Sequence, residues 1–135
     1  MQARDLMQSR LVTTHEDEPV TALCDRLQAA HVHAAPVVDN DGRLIGIVSI
    51  EDVLFGDSLG QERDSPTRVA EIMTSPVFSV TEDQGVAEIC ETMWNYRVHH
   101  LPVEGHGRLV GIVSSLDICR LVKERGLRPA TPPKP

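Results

Sequence analysis

Two stretches of the chain place apolar side chains at the spacing of an amphipathic helix. The positions i, i+3, i+4 and i+7 hold Val20, Leu23, Cys24 and Leu27 in the first stretch and Val86, Ile89, Cys90 and Met93 in the second. This spacing predicts one helix with a buried face in each half of the chain. An acidic residue stands shortly before each helix, where an N-cap is useful, and these residues are Asp17 and Asp83.

Two pairs of short apolar runs follow these helices and predict strands. The first pair is Ala35–Val38 and Leu44–Val48, and the second pair is Leu101–Val103 and Leu109–Val113. The sequences DNDG and GHG between the runs indicate hairpin turns. A further helix is expected after each hairpin, beginning at Ser49 or Ser114.

The elements occur twice because the second half of the chain repeats the first. Met7 matches Met73 at an offset of 66 residues, and GRLIGIVS (42–49) matches GRLVGIVS (107–114) at an offset of 65. Short extended stretches precede the first helix of each copy, Leu11–Thr14 and Val77–Val80. We therefore predict an α/β (α+β) fold of two tandem β-α-β-β-α repeats, related by a pseudo-twofold axis.

The repeats suggest the domain organisation. Repeat 1 should cover residues 1–56 and repeat 2 residues 68–125, with a polar, turn-rich linker at 57–67. The proline-rich segment 126–135 has little to bury, so we expect a disordered tail there.

Composition narrows the function classes. Hydrophobic residues form 41% of the chain and aromatic residues only 3%, so the core should be aliphatic. A formal charge of −7 argues against sequence-independent binding to nucleic acid or to an anionic membrane, since both need a basic face. There is no apolar run of membrane-spanning length, no signal-peptide pattern and no CxxC spacing. We expect a cytoplasmic protein whose three cysteines are reduced.

The strand-to-helix junction of each repeat carries the pattern Ser-x-x-Asp, at Ser49 to Asp52 and at Ser114 to Asp117. One interpretation is a capping box, in which the serine hydroxyl and the aspartate carboxylate each accept a hydrogen bond from the other residue's backbone amide. The other is a ligand site, because a helix N-terminus favours anions and an aspartate accepts hydrogen bonds from vicinal hydroxyls such as those of ribose. The junction alone leaves both open.

The complete pattern is more specific than the junction. A β-α-β-β-α unit with APVV or LPV before the turn and GRLxGIVSxxD after it, written twice, resembles the CBS domain (cystathionine β-synthase domain) family. A pair of such domains is called a Bateman module. The resemblance extends from about Arg4 to Val122.

The resemblance implies a regulatory module that binds an adenosyl compound, such as AMP, ADP, ATP or S-adenosylmethionine, in pockets shared between the repeats. One site would comprise Ile47, Ser49, Asp52, Phe78, His99 and His100. The other would comprise Val12, His33, Ala34, Ile112, Ser114 and Asp117. In both, the aspartate would hold ribose and the serine would face phosphate.

Several residues modify this expectation. Phe78 is bulky at a position that faces the base, so it either stacks on adenine or closes the pocket, whereas Val12 leaves more room. His99 and His100, with Arg97 nearby, favour phosphate on the Phe78 side. Few fixed cations are expected, which favours AMP or S-adenosylmethionine over a triphosphate; no other cofactor is required.

Two alternatives remain. The first alternative to an adenosyl-binding module is a ligand-free structural or dimerisation module. The second is a metal or redox sensor that uses the histidines (His31, His33, His99, His100) or Cys119. The histidines have no carboxylate or thiolate at a spacing that would complete a metal site, which argues against metal binding. No catalytic motif is found, so we do not expect an enzyme. We expect a homodimer, through apolar residues of the second helices (Val53, Leu54, Ile118, Leu121, Val122), and an effector protein that the sequence does not identify.

Overall fold

The computed structural model describes residues 1–55 and 66–126, without the side chain of Phe55. Its helices are α1 (Ala3–Leu6), α2 (Val20–Ala30), α3 (Ile50–Phe55), α4 (Val86–Tyr96) and α5 (Ser115–Arg125). Its strands are β1 (Ala34–Val38), β2 (Leu44–Ser49), β3 (Val80–Thr81), β4 (His100–Gly105) and β5 (Arg108–Ser114). A 3-10 turn spans Val69–Glu71. Nearly all of the predicted linker, and the predicted tail after Gly126, lie outside the described residues.

The predicted order of elements is confirmed in both repeats. Strands β1 and β2 form an antiparallel hairpin, and β4 and β5 form the equivalent hairpin with β3 parallel to β4. The first strand of each copy is shorter than predicted. In repeat 1 it reduces to a single parallel bridge between Thr14 and Val37, and in repeat 2 it is β3.

The predicted N-caps at Asp17 and Asp83 are wrong. Helices α2 and α4 begin later, after Pro19 and Gly85, and neither cap residue makes a side-chain hydrogen bond to its helix. Backbone carbonyls from distant parts of the chain take this role: the Val20 amide donates to the Thr67 carbonyl, and the Val86 amide to the Met1 carbonyl. Each helix start is thus fixed by tertiary structure rather than by a local cap.

These carbonyls belong to segments that cross from one repeat to the other. The segment before the first strand of repeat 1 packs on repeat 2, where Gln8 pairs with Ile112 through two backbone hydrogen bonds of 2.9 and 3.0 Å. The segment before repeat 2 packs on repeat 1 in the same way, with Thr74 paired to Ile47 at 2.9 and 3.1 Å. We call these two stretches, which contain residues 1–8 and 67–74, the leading or crossing segments. Each repeat is completed by the leading segment of the other.

The exchange continues into the two hydrophobic cores. The core of repeat 2 contains two residues of α1 and is formed by Ala3, Leu6, Val80, Ile89, Met93, Leu101, Val103 and Val113. The core of repeat 1 contains Val69 from the segment before repeat 2 and is formed by Leu23, Leu27, Ala35, Val37, Val48 and Val69. Removing either leading segment would expose apolar surface of the opposite repeat.

The glycines of the repeated GIVS motif permit this close packing. A Cβ added at Gly111 would lie 2.5 Å from Sδ of Met7, and one added at Gly46 would lie 2.9 Å from the Thr74 carbonyl oxygen. Both distances are shorter than a van der Waals contact, so a side chain would displace the crossing segment. Among the described residues, no helix is both long enough and apolar enough to cross a membrane.

Candidate ligand-binding site

The two strand-to-helix junctions form capping boxes, as one of the two interpretations predicts. The Ser114 amide donates to Asp117 Oδ2 at 2.7 Å, and the Asp117 amide donates to Ser114 Oγ at 3.3 Å. The equivalent distances between Ser49 and Asp52 are 2.8 and 3.3 Å. In each box the serine hydroxyl also lies 3.1 Å from the same aspartate oxygen, Oδ2. A capping box leaves the second oxygen, Oδ1, for other partners.

The second aspartate oxygen differs between the repeats. Asp117 Oδ1 accepts a hydrogen bond from Gln8 Nε2 at 3.0 Å and lies 3.5 Å from an Arg120 guanidinium nitrogen. The Asp117 residue is only 5% exposed. Asp52 is partly buried, and its contacts within the described residues are those of the capping box. The two carboxylates are thus not equally available to a ligand.

The amides at the start of α5 offer less to an anion than a bare helix N-terminus would. The Ser115 amide donates to the His99 carbonyl at 2.8 Å, and the Asp117 amide is used in the capping box. The Ile50 amide of repeat 1 donates to the His33 carbonyl in the same way. A phosphate at these junctions would therefore depend on side chains more than on the helix backbone.

A cavity of about 990 Å³ opens beside the junction of repeat 2, and we call it the Ser114 cavity. All six residues predicted for this site line it: Val12, His33, Ala34, Ile112, Ser114 and Asp117. Backbone pairing explains part of the arrangement, because Ser114 lies opposite His100 in the β4–β5 hairpin. Side chains between Gln8 and Val12, where the chain passes from repeat 2 to repeat 1, line one side of the cavity.

The other predicted set is not brought together in this cavity. His99 and His100 line the Ser114 cavity beside their own repeat's junction, whereas Ile47, Ser49, Asp52 and Phe78 are absent from its lining. The two histidines that the sequence grouped with Phe78 thus line the cavity of the other predicted set. The Phe78 ring stacks on Tyr96, with centroids 4.0 Å apart, and remains 45% exposed.

Arg97, expected from the sequence near a phosphate on the Phe78 side, lies at the end of α4. Its side chain is exposed, and its guanidinium lies 4.3 Å from the centre of the Trp94 ring. It does not line the Ser114 cavity. The cation–π contact at the end of α4 accounts for its position.

Sequence reasoning missed four polar residues of the Ser114 cavity: Gln8, Arg10, Glu51 and Ser115. Arg10 adds one permanent cation to the lining, which agrees with the expectation of few fixed cations. Gln8 and Arg10 precede the first strand, and Glu51 lies in the first turn of α3. The offset of 66 pairs Gln8 with Thr74 and would have drawn attention to this difference between the repeats.

Burial and neighbouring charges tune the protonation of the cavity. Burial lowers the pKa of His100, and the nearby His99 and His33 act in the same direction, whereas the carboxylates of Glu51 and Asp117 oppose it. The net effect keeps His100 neutral down to a lower pH than an ordinary histidine.

Glu51 is stabilised as a carboxylate. A hydrogen bond from its own backbone amide lowers its pKa and outweighs the opposing effect of burial. The Ser49 hydroxyl and the positive charges that His100 and His99 can carry lower it further. The free cavity thus has carboxylates beside an Arg10 cation and titratable histidines.

The metal interpretation gains no support from the geometry. Four histidines line the Ser114 cavity (His31, His33, His99 and His100), yet no group of three or more His, Cys, Asp or Glu residues within 1–55 and 66–126 could hold a metal ion. The thiols Cys24 and Cys90 are partly buried, and burial raises the pKa of each. Both therefore stay protonated and weakly reactive.

Comparison with known proteins identifies the family. The CBS domain profile matches residues 3–57 and 69–124, one match for each repeat. The chain belongs to the CBS domain family. The resemblance noted in the sequence is thereby confirmed, and the described fold is that of a CBS domain pair.

Solved CBS structures share the architecture. The CBS domain pair of protein MJ0100, in complex with 5′-methylthioadenosine and S-adenosyl-L-methionine, is 28% identical, with a TM-score of 0.82. That match covers 93% of this chain and 98% of the other. Hypoxic Response Protein I, solved with two coordinated zinc ions, is also 28% identical, with a TM-score of 0.74 over 89% of this chain and 98% of the other.

Relatives found by sequence include both small proteins and parts of enzymes. Hypoxic response protein 1 of Mycobacterium tuberculosis is 28% identical over 126 residues, which are 93% of this chain and 87% of that protein. L-aspartate semialdehyde sulfurtransferase of Methanocaldococcus jannaschii is 30% identical over 119 residues, 87% of this chain but only 22% of the enzyme. The likeness to the enzyme is thus confined to about a fifth of its length.

Proposed function

We propose that this CBS pair is a regulatory module that binds an adenosyl ligand in the Ser114 cavity and signals the bound state to a partner protein. The observation that carries the proposal is the convergence of Ser114, Asp117, His33 and Val12 on one cavity of about 990 Å³. This volume lies at the upper end of the range for small-molecule sites, roughly 300–1,000 Å³. The adenosyl ligands of the MJ0100 pair support the ligand class.

The roles of the residues follow from their chemistry. The Asp117 carboxylate accepts hydrogen bonds from the ribose hydroxyls, and the apolar side chains of Val12 and Ile112 face the base. Arg10 and His100 attract a phosphate, with the Ser114 hydroxyl beside them. With one arginine as its permanent cation, the cavity suits one phosphate better than three, so AMP is the favoured ligand and S-adenosylmethionine the second choice.

A ligand screen tests the proposal. The melting temperature of the purified chain is measured with AMP, adenosine, S-adenosylmethionine, 5′-methylthioadenosine and Zn²⁺, and each active compound is then titrated by calorimetry. A ligand at 100 times its Kd should stabilise the fold by about 2.7 kcal/mol. A response to Zn²⁺ alone would support the metal alternative, and no response at all would favour the ligand-free alternative.

Four further features expected from the sequence are proposals of the same kind. We propose domain boundaries at 1–56 and 68–125, a second site around Ser49 and Asp52, and a cytoplasmic location. We also propose a homodimer, although the structure changes its basis. Val53, Ile118 and Leu121 pack against the cores of their own repeats, whereas Leu54 of α3 is 66% exposed.

A further inference from the structure

Protein donors already make three hydrogen bonds to the Asp117 carboxylate. Its Oδ2 serves the capping box with Ser114, and its Oδ1 receives Gln8 Nε2 at 3.0 Å and faces Arg120 at 3.5 Å. A carboxylate oxygen accepts about two hydrogen bonds. About one acceptor site is therefore left, on Oδ1. A ribose diol that donates both of its hydroxyls to Asp117 needs two sites and must replace one of these partners.

Gln8 is the partner most easily replaced. The capping box is part of the fold of α5, whereas Gln8 is an exposed residue whose amide reaches the carboxylate from the crossing segment. The main chain of Gln8 is fixed separately by its two backbone bonds to Ile112. The side chain can thus rotate away while the segment stays in place.

The second repeat provides an internal comparison. Thr74 occupies the position equivalent to Gln8 and makes the same backbone pairing, to Ile47. The described hydrogen bonds of Thr74 are those of its backbone, and Asp52 is reached by no side chain from this position. The contact with the carboxylate is therefore a property of glutamine at residue 8 and is not required by the fold.

We propose that Gln8 is a specificity-determining residue that competes with the vicinal hydroxyls of the ligand for Asp117. The inference rests on the proposed function, because it assumes that a ribose occupies this position. Gln8 lowers the affinity for a diol and leaves a ligand without the diol unaffected. The Ser114 cavity is consequently less responsive to low concentrations of nucleotide than the same cavity with a threonine at residue 8.

The test replaces the residue by its counterpart, Gln8→Thr, and measures affinity by calorimetry for AMP and for 2′,3′-dideoxy-AMP. We expect AMP to bind about three- to tenfold more tightly, which is less than the effect of a buried charge-assisted bond because Gln8 is exposed. The affinity for dideoxy-AMP should change less than about twofold. Gln2→Thr, on the same segment but outside the cavity, is the matched control and should change neither.

Two further outcomes are distinguishable. Weaker AMP binding in Gln8→Thr, or equal changes for both nucleotides, would overturn the competition while leaving the proposed function intact. If AMP binds neither protein, the proposed function fails and the inference with it. In the unchanged protein, the side-chain amide NMR signals of Gln8, assigned by their loss in Gln8→Thr, should shift with AMP and not with dideoxy-AMP.

Discussion

Replacing Asp117 by alanine should affect both ligand binding and stability, and the equivalent change Asp52→Ala is its matched comparison. Both substitutions remove the same capping box. Asp117→Ala also removes the acceptor of the Gln8 bond and the Arg120 contact. The pair therefore separates the shared structural role of the aspartates from what is particular to the Ser114 cavity.

The structure allows the magnitudes to be worked out. Loss of a helix cap costs about 1 kcal/mol, within a range of roughly 0.5–2 kcal/mol. The Gln8 bond adds less than about 1 kcal/mol, because the freed amide is exposed and regains water. Asp117→Ala should thus destabilise the fold by about 1.5–2 kcal/mol and Asp52→Ala by about 1 kcal/mol. At about 3–5 °C per kcal/mol, Tm should fall by about 5–10 °C in Asp117→Ala and by about 3–5 °C in Asp52→Ala.

Calorimetric titration with AMP supplies the functional half of the experiment. Losing charge-assisted hydrogen bonds to the ribose costs about 1.5–3 kcal/mol, or roughly ten- to hundredfold in affinity. Asp117→Ala should lose this factor at the Ser114 cavity while remaining folded, since domains of this size are stable by about 5–15 kcal/mol. Unchanged AMP binding in Asp117→Ala, together with the expected fall in Tm, would show that the Ser-x-x-Asp pattern is a capping box alone.

Four other predictions concern pH, packing and assembly. Because bound phosphate raises the lowered pKa of His100, AMP affinity should increase as pH falls through about 6.5. The affinity for adenosine, which has no phosphate, should stay constant over this range. The pH dependence of AMP binding should vanish in the double variant His99→Ala/His100→Ala. The same lowered pKa means that the unfolded chain binds this proton more tightly, so ligand-free stability should fall over that pH range; a urea titration at pH 7.5 and 5.5 measures it. Leu23→Ala and Ile89→Ala, both at fully buried equivalent positions, should each cost about 2–5 kcal/mol in urea unfolding, and a loss below 1 kcal/mol would contradict the described cores. Light scattering at micromolar concentration should give a dimer mass that Leu54→Glu reduces, and a monomer mass for the unchanged protein would refute the dimer.

Elements defined by local periodicity could be predicted from the sequence. The apolar spacing from Val20 to Leu27 predicted α2, and the turn residues of DNDG and GHG predicted the two hairpins. The Ser-x-x-Asp boxes were also predictable, because a capping box is formed by residues three positions apart. All these features depend on neighbours in the chain.

Features that depend on tertiary contacts could not be read in the same way. The first amides of α2 and α4 donate hydrogen bonds to the distant carbonyls of Thr67 and Met1. Because these partners are far away in the chain, a local search for capping residues predicted the wrong ones. An internal repeat shows that two similar units exist, but not that each leading segment packs on the other unit. For this reason Gln8 and Arg10 were missed, although they line the cavity of the opposite repeat.

The exchange of leading segments explains how two similar repeats can form unlike sites. The residues of each junction are nearly identical, since GIVS followed by Asp is shared, and both glycines are held by the packing of Met7 or Thr74 against them. The crossing segments are less constrained, because only their backbone pairing and a few apolar side chains are needed to complete the opposite core. A change such as glutamine for threonine at residue 8 can therefore alter one site without disturbing the junction or the core. In this arrangement the repeated motif supplies the carboxylate, and the segment from the other repeat determines how freely a ligand reaches it.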